Sequence, residues 1–281
     1  MSSIPALPSG LGEIAGDYDA LICDVWGVVH DGERPHWEAV NALKHFRAEH
    51  GPVVLLSNAP RPPADIAKQF VQIGVPADCY DAIVTSGGAA REDLAHRAAT
   101  GRLAMMHLGP ERDCSLFQGL NVDVVGAEAA SVVLCTGLYD DENETVEDYR
   151  DVLAELKRRL LLMVCANPDV IVPRGGRILF CAGAIARAYE EIGGEVLYYG
   201  KPHLPIYKAA LEAAGAPKRA LVIGDGLETD IRGANRAGFD ALFVAHGVHK
   251  GEIDAFTQEA LAELFAIKGV HARAAMGMLT W

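Results

Sequence analysis

Short apolar runs alternate with helical patterns along most of this 281-residue chain, and that alternation limits the folds open to it. The runs are rich in Val, Ile and Leu, as expected for strands that are covered on both faces. Helices between such strands are typical of crossover connections, which join parallel strands of one sheet. The pattern therefore predicts an α/β protein built on a parallel sheet. The strand candidates are residues 20–23, 53–56, 82–84, 196–199, 220–223 and 241–244.

Polar residues that can carry chemistry stand directly after four of these runs. Asp24, Ser57, Lys201 and Asp225 each lie just beyond a strand candidate. In an open α/β sheet the carboxyl ends of the strands face the ligand crevice. Taken singly, each residue is more simply a turn or surface residue, because Asp and Ser hydrogen-bond well in turns. Jointly, at successive strand ends, they predict one shared site.

The spacing of these four residues indicates an inserted domain. Asp24 and Ser57 are about one strand-helix-strand step apart, and so are Lys201 and Asp225, but Ser57 and Lys201 are several times further apart. We therefore predict a discontinuous core domain of residues 1–89 and 196–281, with a second α/β domain inserted at 90–195. The insert contains its own signals, which are strands at 103–108, 132–135 and 161–166 and a helix at 145–159 capped by Thr145. A core helix is predicted to open at Pro62-Pro63 and to close at Gly74.

Composition excludes several classes of function. A formal net charge of −13 and a pI near 5.2 oppose binding to nucleic acid. No Lys or Arg precedes Arg34 and no apolar run approaches the roughly 18 residues of a membrane span, so we expect a cytoplasmic protein without membrane association. The six cysteines show no metal-ligand spacing and are expected to be buried thiols in a reducing compartment.

The four strand-end residues suit phosphoryl transfer to a carboxylate. An aspartate nucleophile such as Asp24 needs a cation, here Lys201, to approach a negatively charged phosphate, and a hydroxyl such as Ser57 can hold a phosphoryl oxygen. The segment 224–230 adds Asp225, Glu228 and Asp230 after a strand, and such oxygen ligands favour Mg²⁺.

Taken together, these motifs resemble those of the haloacid dehalogenase superfamily. The segments that carry the resemblance are Asp24-Val25-Trp26-Gly27-Val28, Ser57-Asn58, Gly200-Lys201-Pro202 and Gly224-Asp225 with Asp230. The long insert, with Thr85-Ser86 before it and Asn167-Pro168-Asp169 within it, is similar to subclass IIA, which contains the NagD-type, phosphoglycolate, pyridoxal-phosphate and nitrophenyl phosphatases. The resemblance implies a Rossmann-like parallel-sheet core and an α/β cap of the C2 type.

The resemblance also implies a role for each site residue. Asp24 would attack phosphorus and form an aspartyl-phosphate, Lys201 would offset charge, and Ser57 with Asn58 would bind the phosphoryl group. Mg²⁺ would be held by Asp24, Asp225 and the main-chain carbonyl of Trp26, and Asp230 would orient metal-bound water. The cap would select a small phosphorylated metabolite and could pair two copies as a homodimer. Arg174 and Arg177 in the insert are possible anion contacts, although surface arginines are the simpler interpretation.

Trp26 is the one clear departure from this family pattern. Phosphatases of the family carry a second Asp at this position, where it protonates the leaving group and then activates water. The indole N–H of Trp26 donates a hydrogen bond but cannot relay a proton. A general acid-base contribution of about 10²–10⁴ in rate is therefore expected to be missing, unless a residue such as His30 or Glu228 replaces it.

Several other functions were weighed against a slow Mg²⁺-dependent phosphatase. A protein that binds a phosphorylated metabolite for regulation, with little or no turnover, remains an alternative. Metal-free haloacid dehalogenases do not require an acid at the position of Asp225, so the presence of that acid argues against this alternative. Phosphonate-cleaving relatives need a cap between the first and second motifs, for which the chain between Asp24 and Ser57 is too short. A dinucleotide-binding oxidoreductase would require a glycine spacing that Gly224-Asp225-Gly226 does not supply.

Overall fold

The computed structural model describes residues 4–174, 177–246 and 256–281 and divides the chain into two compact units. The first unit consists of Met1–Ser57, Ala64–Val84 and Lys201–Trp281. The second consists of Asn58–Pro63 and Thr85–Gly200. The chain therefore passes from one unit to the other near residues 57, 63, 84 and 200, whereas the sequence predicted boundaries at 89/90 and 195/196.

A six-stranded parallel sheet forms the centre of the first unit, in the order β13-β12-β11-β1-β2-β3. Its strands are β1 (Ala20–Asp24), β2 (Val53–Ser57), β3 (Ala82–Thr85), β11 (Ala220–Gly224), β12 (Asp240–Val244) and β13 (Ala274–Met276). The helices of this unit are α1 (Gly12–Ala15), α2 (Trp37–Glu49), α3 (Pro63–Ile73), α7 (Leu204–Ala213), α8 (Arg232–Ala237) and α9 (Gln258–Lys268).

Every residue of the central strands β1 and β11 is buried, which explains their continuous apolar sequence. Ile22 and Val222 pair across these two strands and join Phe243 of β12 and Tyr207 of α7 in one hydrophobic cluster. The Phe243 ring meets Phe265 of α9 edge to face at 5.6 Å between ring centroids. A rigid, fully covered pair of strands therefore carries the residues that follow β1 and β11.

The second unit has its own five-stranded parallel sheet, in the order β10-β7-β6-β4-β5, and a separate two-stranded hairpin. Its strands are β4 (Leu103–Leu108), β5 (Val122–Val124), β6 (Val132–Cys135), β7 (Leu162–Cys165), β8 (Ile171–Arg174), β9 (Arg177–Phe180) and β10 (Val196–Tyr198). Its helices are α4 (Ser86–Arg97), α5 (Arg150–Arg158) and α6 (Ala182–Glu191). None of the helices within the described ranges is long and apolar enough to cross a bilayer.

The α/β fold with parallel sheets is confirmed, and so are most of the predicted elements. The helix predicted from Pro63 to Gly74 is present, and Gly74 leaves it with a positive φ of 84°. One strand was assigned to the wrong sheet: β10 pairs with β7 in the second unit and does not join the first. The predicted helix at 145–159 is also divided, because Thr145 and Asp148 form a capping box around a 3₁₀ turn that precedes α5.

The carboxyl-terminal segment, which no sequence motif explained, completes the first sheet. Residues 274–276 form β13 beside β12, and Ala6 pairs with Ala274 on the other side. The ring of Trp281 then stacks on His45 of α2 at 5.2 Å between centroids. The terminal segment is therefore part of the packed unit.

Candidate active site

The strand register of the first unit places three of the predicted residues side by side. β1 ends at Asp24, which pairs with Leu56, so Ser57 follows on the neighbouring strand. On the other side of β1, Cys23 pairs with Ile223, and Asp225 lies just past the end of β11. Adjacent strands are about 4.8 Å apart, so the three side chains leave the same edge of the sheet close together.

Lys201 reaches this edge from the turn that precedes α7. Its Nζ lies 2.5 Å from Oδ1 of Asp24 and 2.8 Å from Oδ1 of Asp230. Only 4% of the lysine is exposed. Burial alone would lower the pKa of Lys201, but Asp230 and Asp24 outweigh that effect and raise the pKa well above its usual range. The Lys201 side chain is therefore protonated at neutral pH.

Three carboxylates converge around this ammonium group. Asp24, Asp225 and Asp230 each offer an oxygen within 4.8 Å of the others, and all three are buried. Burial raises the pKa of Asp24 to about 7 against the pull of Lys201, and the charge of Asp225 adds to the rise. Like charges so close together are stable as a group only with compensating positive charge. Their oxygen ligands suit a hard divalent cation such as Mg²⁺.

Asp230 lies in a single π-helical turn, Leu227–Ile231, and both of its carboxylate oxygens are engaged. Oδ1 meets Lys201, while Oδ2 accepts hydrogen bonds from the backbone N–H of Gly226 at 3.1 Å and the hydroxyl of Thr229 at 3.2 Å. A Cβ on Gly224 would lie 2.2 Å from Cγ of Asp230, so that position must be glycine. These contacts indicate that Asp230 orients Lys201 and the turn.

The turn after the nucleophile candidate is shaped by Gly27. Its φ is +85°, and its N–H donates to the carbonyl of His30 at 2.8 Å. A Cβ on Gly27 would lie 2.3 Å from Oδ2 of Asp225. Glycine is therefore required for two reasons, a left-handed backbone and close approach to the acid cluster.

His30 and Glu228, the two residues that could replace a general acid at position 26, both have other partners. Burial lowers the pKa of His30 to about 4, and its Nδ1 accepts a hydrogen bond from the N–H of Gly32 at 2.8 Å. Glu228 forms an ion pair with Arg232 at 2.6 Å. A neutral imidazole and a paired carboxylate are poor proton donors at neutral pH.

Asn58, the first residue of the second unit, is held by a residue that sequence reasoning had not assigned a role. Its Nδ2 donates to Oδ1 of Asp169 at 2.8 Å, and the N–H of Asp169 donates to Oδ1 of Asn167 at 3.1 Å. The only sequence signal was the Asn167-Pro168-Asp169 motif itself. Arg177, considered as an anion contact, instead donates to the carbonyl of Glu142, and the Arg174 side chain lies outside the described residues.

Two family models match this chain. One, for haloacid dehalogenase-like hydrolases, matches residues 21–123. The other, for HAD-hydrolase-like proteins, matches residues 198–265. Together they cover the segments that carry Asp24, Ser57, Lys201 and Asp225.

Known proteins of similar sequence and structure carry names from the same family. A hydrolase of the haloacid dehalogenase-like family from Brucella suis is 42% identical, with a TM-score of 0.85 over 98% of this chain and 100% of that structure. D-glycerol 3-phosphate phosphatase of Mycobacterium tuberculosis is 31% identical over 84% of this chain, which spans 65% of that relative. A structure of a glycerol phosphate phosphatase from the same organism, in complex with magnesium, is 26% identical over 88% of this chain and 71% of that structure, with a TM-score of 0.66.

Replacing Gly27 by Ala should damage the acid cluster, because the new methyl group would collide with Asp225. We expect Gly27→Ala to weaken Mg²⁺ binding at least tenfold in calorimetric titrations and to lower stability by about 2–4 kcal/mol. Gly74→Ala is the matched control, since Gly74 has a φ of +84° but nothing within 4 Å of a Cβ. It should lose only the strain term and bind Mg²⁺ normally. Equal Mg²⁺ affinity in both variants would contradict this interpretation.

The raised pKa of Asp24 predicts how pH changes the stability of the metal-free protein. The carboxyl titrates near pH 7 in the folded state but near its ordinary value of 3.8 when unfolded, so the folded state binds more protons between those values. The Asp24 carboxyl should therefore make the free energy of unfolding fall as pH rises from about 4 to about 7, by on the order of 4 kcal/mol. His30 and His107, whose pKa values burial lowers to about 4, act in the opposite direction. Urea unfolding in EDTA measures the net change.

Asp24→Asn is the control for that titration. The variant should show a smaller fall, because it lacks the Asp24 carboxyl, while Asp113 and Asp230, whose pKa values burial raises to about 6, still contribute in this direction. A fall as large in Asp24→Asn as in the wild type would contradict the raised pKa of Asp24 in the folded protein.

Proposed function

The chain belongs to the haloacid dehalogenase-like hydrolases, and on that basis we propose that it is a Mg²⁺-dependent phosphatase of a small phosphorylated metabolite. The observation that carries the proposal is the buried contact of Asp24 with Lys201, beside Asp225 and Asp230. Relatives named as phosphatases of glycerol 3-phosphate and of ribonucleotides support a phosphate monoester as substrate. The chain spans less than two thirds of the first two curated relatives it matches.

In the proposed reaction Asp24 attacks phosphorus and is phosphorylated, and water then releases phosphate from it. Lys201 holds Asp24 in place and offsets the charge of the incoming phosphoryl group. The Ser57 hydroxyl, at the end of the next strand, donates to a phosphoryl oxygen. A buried carboxylate has no shell of water to lose before it attacks, and its partner Lys201 already holds it in position. This positioning makes up a large part of the catalytic effect.

The acid cluster meets the requirements of a Mg²⁺ site. Asp24, Asp225 and the carbonyl of Trp26 would hold the ion, while Asp230, whose oxygens are already engaged, would orient the surrounding groups. When bound, Mg²⁺ would neutralise charge on the phosphoryl oxygens and favour the ionised form of Asp24. The second unit would serve as the cap that selects the substrate.

Trp26 makes the proposed enzyme dependent on a good leaving group. An alkyl alcohol leaves poorly unless it is protonated, and both His30 and Glu228 are engaged elsewhere. Slow turnover of alkyl and sugar phosphates follows. The alternative, a metabolite-binding protein without turnover, is distinguished by the assays below.

Asp24→Asn should reduce phosphatase activity by roughly 10³-fold or more, because an amide is a poor nucleophile. The measurement is release of inorganic phosphate from p-nitrophenyl phosphate and acetyl phosphate with Mg²⁺. Asp78→Asn, which changes a surface acid paired with Lys44, should leave the rate unchanged. Full activity in Asp24→Asn would rule out the nucleophile, and an inactive wild type with tight phosphate binding would favour the binding protein.

Rates across a series of phosphate esters should fall steeply as the pKa of the leaving group rises. The physical reason is the missing proton donor, which leaves negative charge on the departing oxygen. Measuring kcat/KM for acyl, aryl and alkyl phosphates gives the slope directly. A flat dependence would mean that some other group supplies the proton.

Restoring the acid provides the converse experiment. Trp26→Asp should accelerate hydrolysis of alkyl phosphates by up to about 10²-fold, toward the normal general acid contribution. Trp26→Asn is the matched control, because asparagine has nearly the same shape as aspartate but no acidic proton. Equal rates in the two variants would show that loss of the acid does not limit turnover.

A further inference from the structure

We propose that the indole of Trp26 forms the leaving-group side of the site and selects phosphates of aromatic compounds. The inference rests on the proposed phosphatase function and extends it to a substrate class. The absence of an acid explains which leaving groups can depart, namely those that need no protonation. It does not explain why a large aromatic residue occupies position 26. The position and exposure of the indole supply that explanation.

The main chain fixes Trp26 beside the reacting groups. Asp24, two residues before it, contacts Lys201, and Gly27, directly after it, lies against Asp225. Successive Cα atoms are about 3.8 Å apart, so the Cα of Trp26 lies within about 8 Å of the carboxylate of Asp225. Its indole is 37% exposed, unlike the other large side chains of this turn, Val25 and Val28, which are buried.

The turn also fixes the backbone from which the indole projects. The backbone of Trp26 forms an isolated β-bridge with that of His30, which is only 2% exposed. The N–H of Gly27 donates to the carbonyl of His30 and closes the turn. A Cβ on Gly32 would lie 3.5 Å from Nε1 of Trp26, so one edge of the ring rests along that glycine. A partly exposed ring with one supported edge is a suitable surface for a second aromatic ring.

Aromatic phosphates suit a site that lacks a proton donor and presents an aromatic ring at position 26. As Asp24 forms a bond to phosphorus, the bond from phosphorus to the leaving oxygen breaks, and that oxygen keeps the electron pair. A phenolate or an aromatic carboxylate accepts this charge without a proton, and its ring can stack on the indole. Aliphatic acyl phosphates meet the first condition only, and alkyl phosphates meet neither.

Three acyl phosphates separate stacking from leaving-group chemistry. Acetyl, cyclohexanecarbonyl and benzoyl phosphate all release carboxylates, and the last two are similar in size but differ in aromaticity. We expect the wild type to prefer benzoyl over cyclohexanecarbonyl phosphate in kcat/KM by about fivefold to tenfold, mainly through KM. Trp26→Leu should abolish that preference, and Trp26→Phe should retain part of it. Trp37→Leu, at an exposed Trp on α2, should leave the preference as in the wild type.

The outcomes separate the two levels of the proposal. If the wild type hydrolyses all three compounds with no preference for benzoyl phosphate, or if Trp26→Leu keeps the preference, the aromatic site is wrong while the phosphatase stands. If the wild type hydrolyses none of them with Mg²⁺, the phosphatase itself fails.

A separate observation concerns the turn that carries Asp230, and from it we infer that Tyr207 is a positioning residue for the acid cluster. Its hydroxyl donates to the carbonyls of Thr229 and Asp230 at 3.3 and 3.2 Å. Tyr207 is 1% exposed, and a Cβ on Gly233 would lie 2.1 Å from the hydroxyl oxygen. Because α7 begins shortly after Lys201, Tyr207 connects the helix that follows the lysine to the turn that holds Asp230.

The carbonyl of Thr229 also accepts a hydrogen bond from the backbone N–H of Arg232, so the Tyr207 hydroxyl is an additional, buried side-chain donor at the end of this π-helical turn. Burial raises the pKa of Tyr207 well above its usual range, which keeps the hydroxyl a donor. Without the hydroxyl the turn would lose its anchor, and Asp225 and Asp230 would be less well ordered for the metal.

Tyr207→Phe tests this role against Tyr189→Phe, which removes another buried hydroxyl that donates to the carbonyl of Leu161. Both variants should lower the Tm of the metal-free protein by a few degrees. Only Tyr207→Phe should also weaken Mg²⁺ binding, by about fivefold to tenfold in calorimetric titrations. Mg²⁺ affinity within twofold of the wild type in Tyr207→Phe would overturn the inference, as would an equal loss in Tyr189→Phe.

Discussion

The contact of the Lys201 ammonium with Asp24 and Asp230 is the interaction on which the rest of this site depends. Buried charges are costly unless they are paired with good geometry, and here the ammonium group pairs with two buried carboxylates, beside which the carboxylate of Asp225 is also buried. We propose that this group of acids binds a cation and, through the cation, a phosphate. A protein selected for stability alone would gain more from an apolar side chain at these positions.

The surrounding structure serves to bring these groups close together. The all-buried strands β1 and β11 fix Asp24 and Asp225 relative to one another. Gly27 lets the backbone pass close to Asp225, and Gly224 makes room for Asp230. The positions that look least chemical in the sequence, the glycines, are therefore among those that the site tolerates least.

The sequence predicted the parts of this arrangement that local patterns encode. Asp24 and Asp225 follow apolar runs, so their place at strand ends was visible, and the helix between Pro63 and Gly74 had clear start and stop signals. The sheet to which a three-residue strand belongs was not visible, which is why β10 was assigned to the first sheet. Contacts between residues far apart in the chain, such as Asn58 with Asp169, have no local signal at all.

Trp26 shows how one substitution changes the chemistry open to an otherwise complete site. In the proposed enzyme, Asp24 as nucleophile, the ammonium group of Lys201 and the acid cluster are retained, while a partly exposed indole stands where the family resemblance predicts a proton donor. We interpret this as a change of substrate rather than a loss of function. The groups that make a phosphoryl transfer possible are kept, and the group that helps an alcohol to leave is not.

The central claim is that the carboxylate of Asp24 becomes phosphorylated during turnover. Its most direct test is to quench the enzyme during hydrolysis of acetyl phosphate with Mg²⁺, reduce it with borohydride and identify the modified residue by peptide mass spectrometry. An acyl phosphate on Asp24 would be reduced to homoserine at position 24, and this is the result the account predicts. Steady turnover with Asp24 unmodified, or with another residue modified instead, would contradict it.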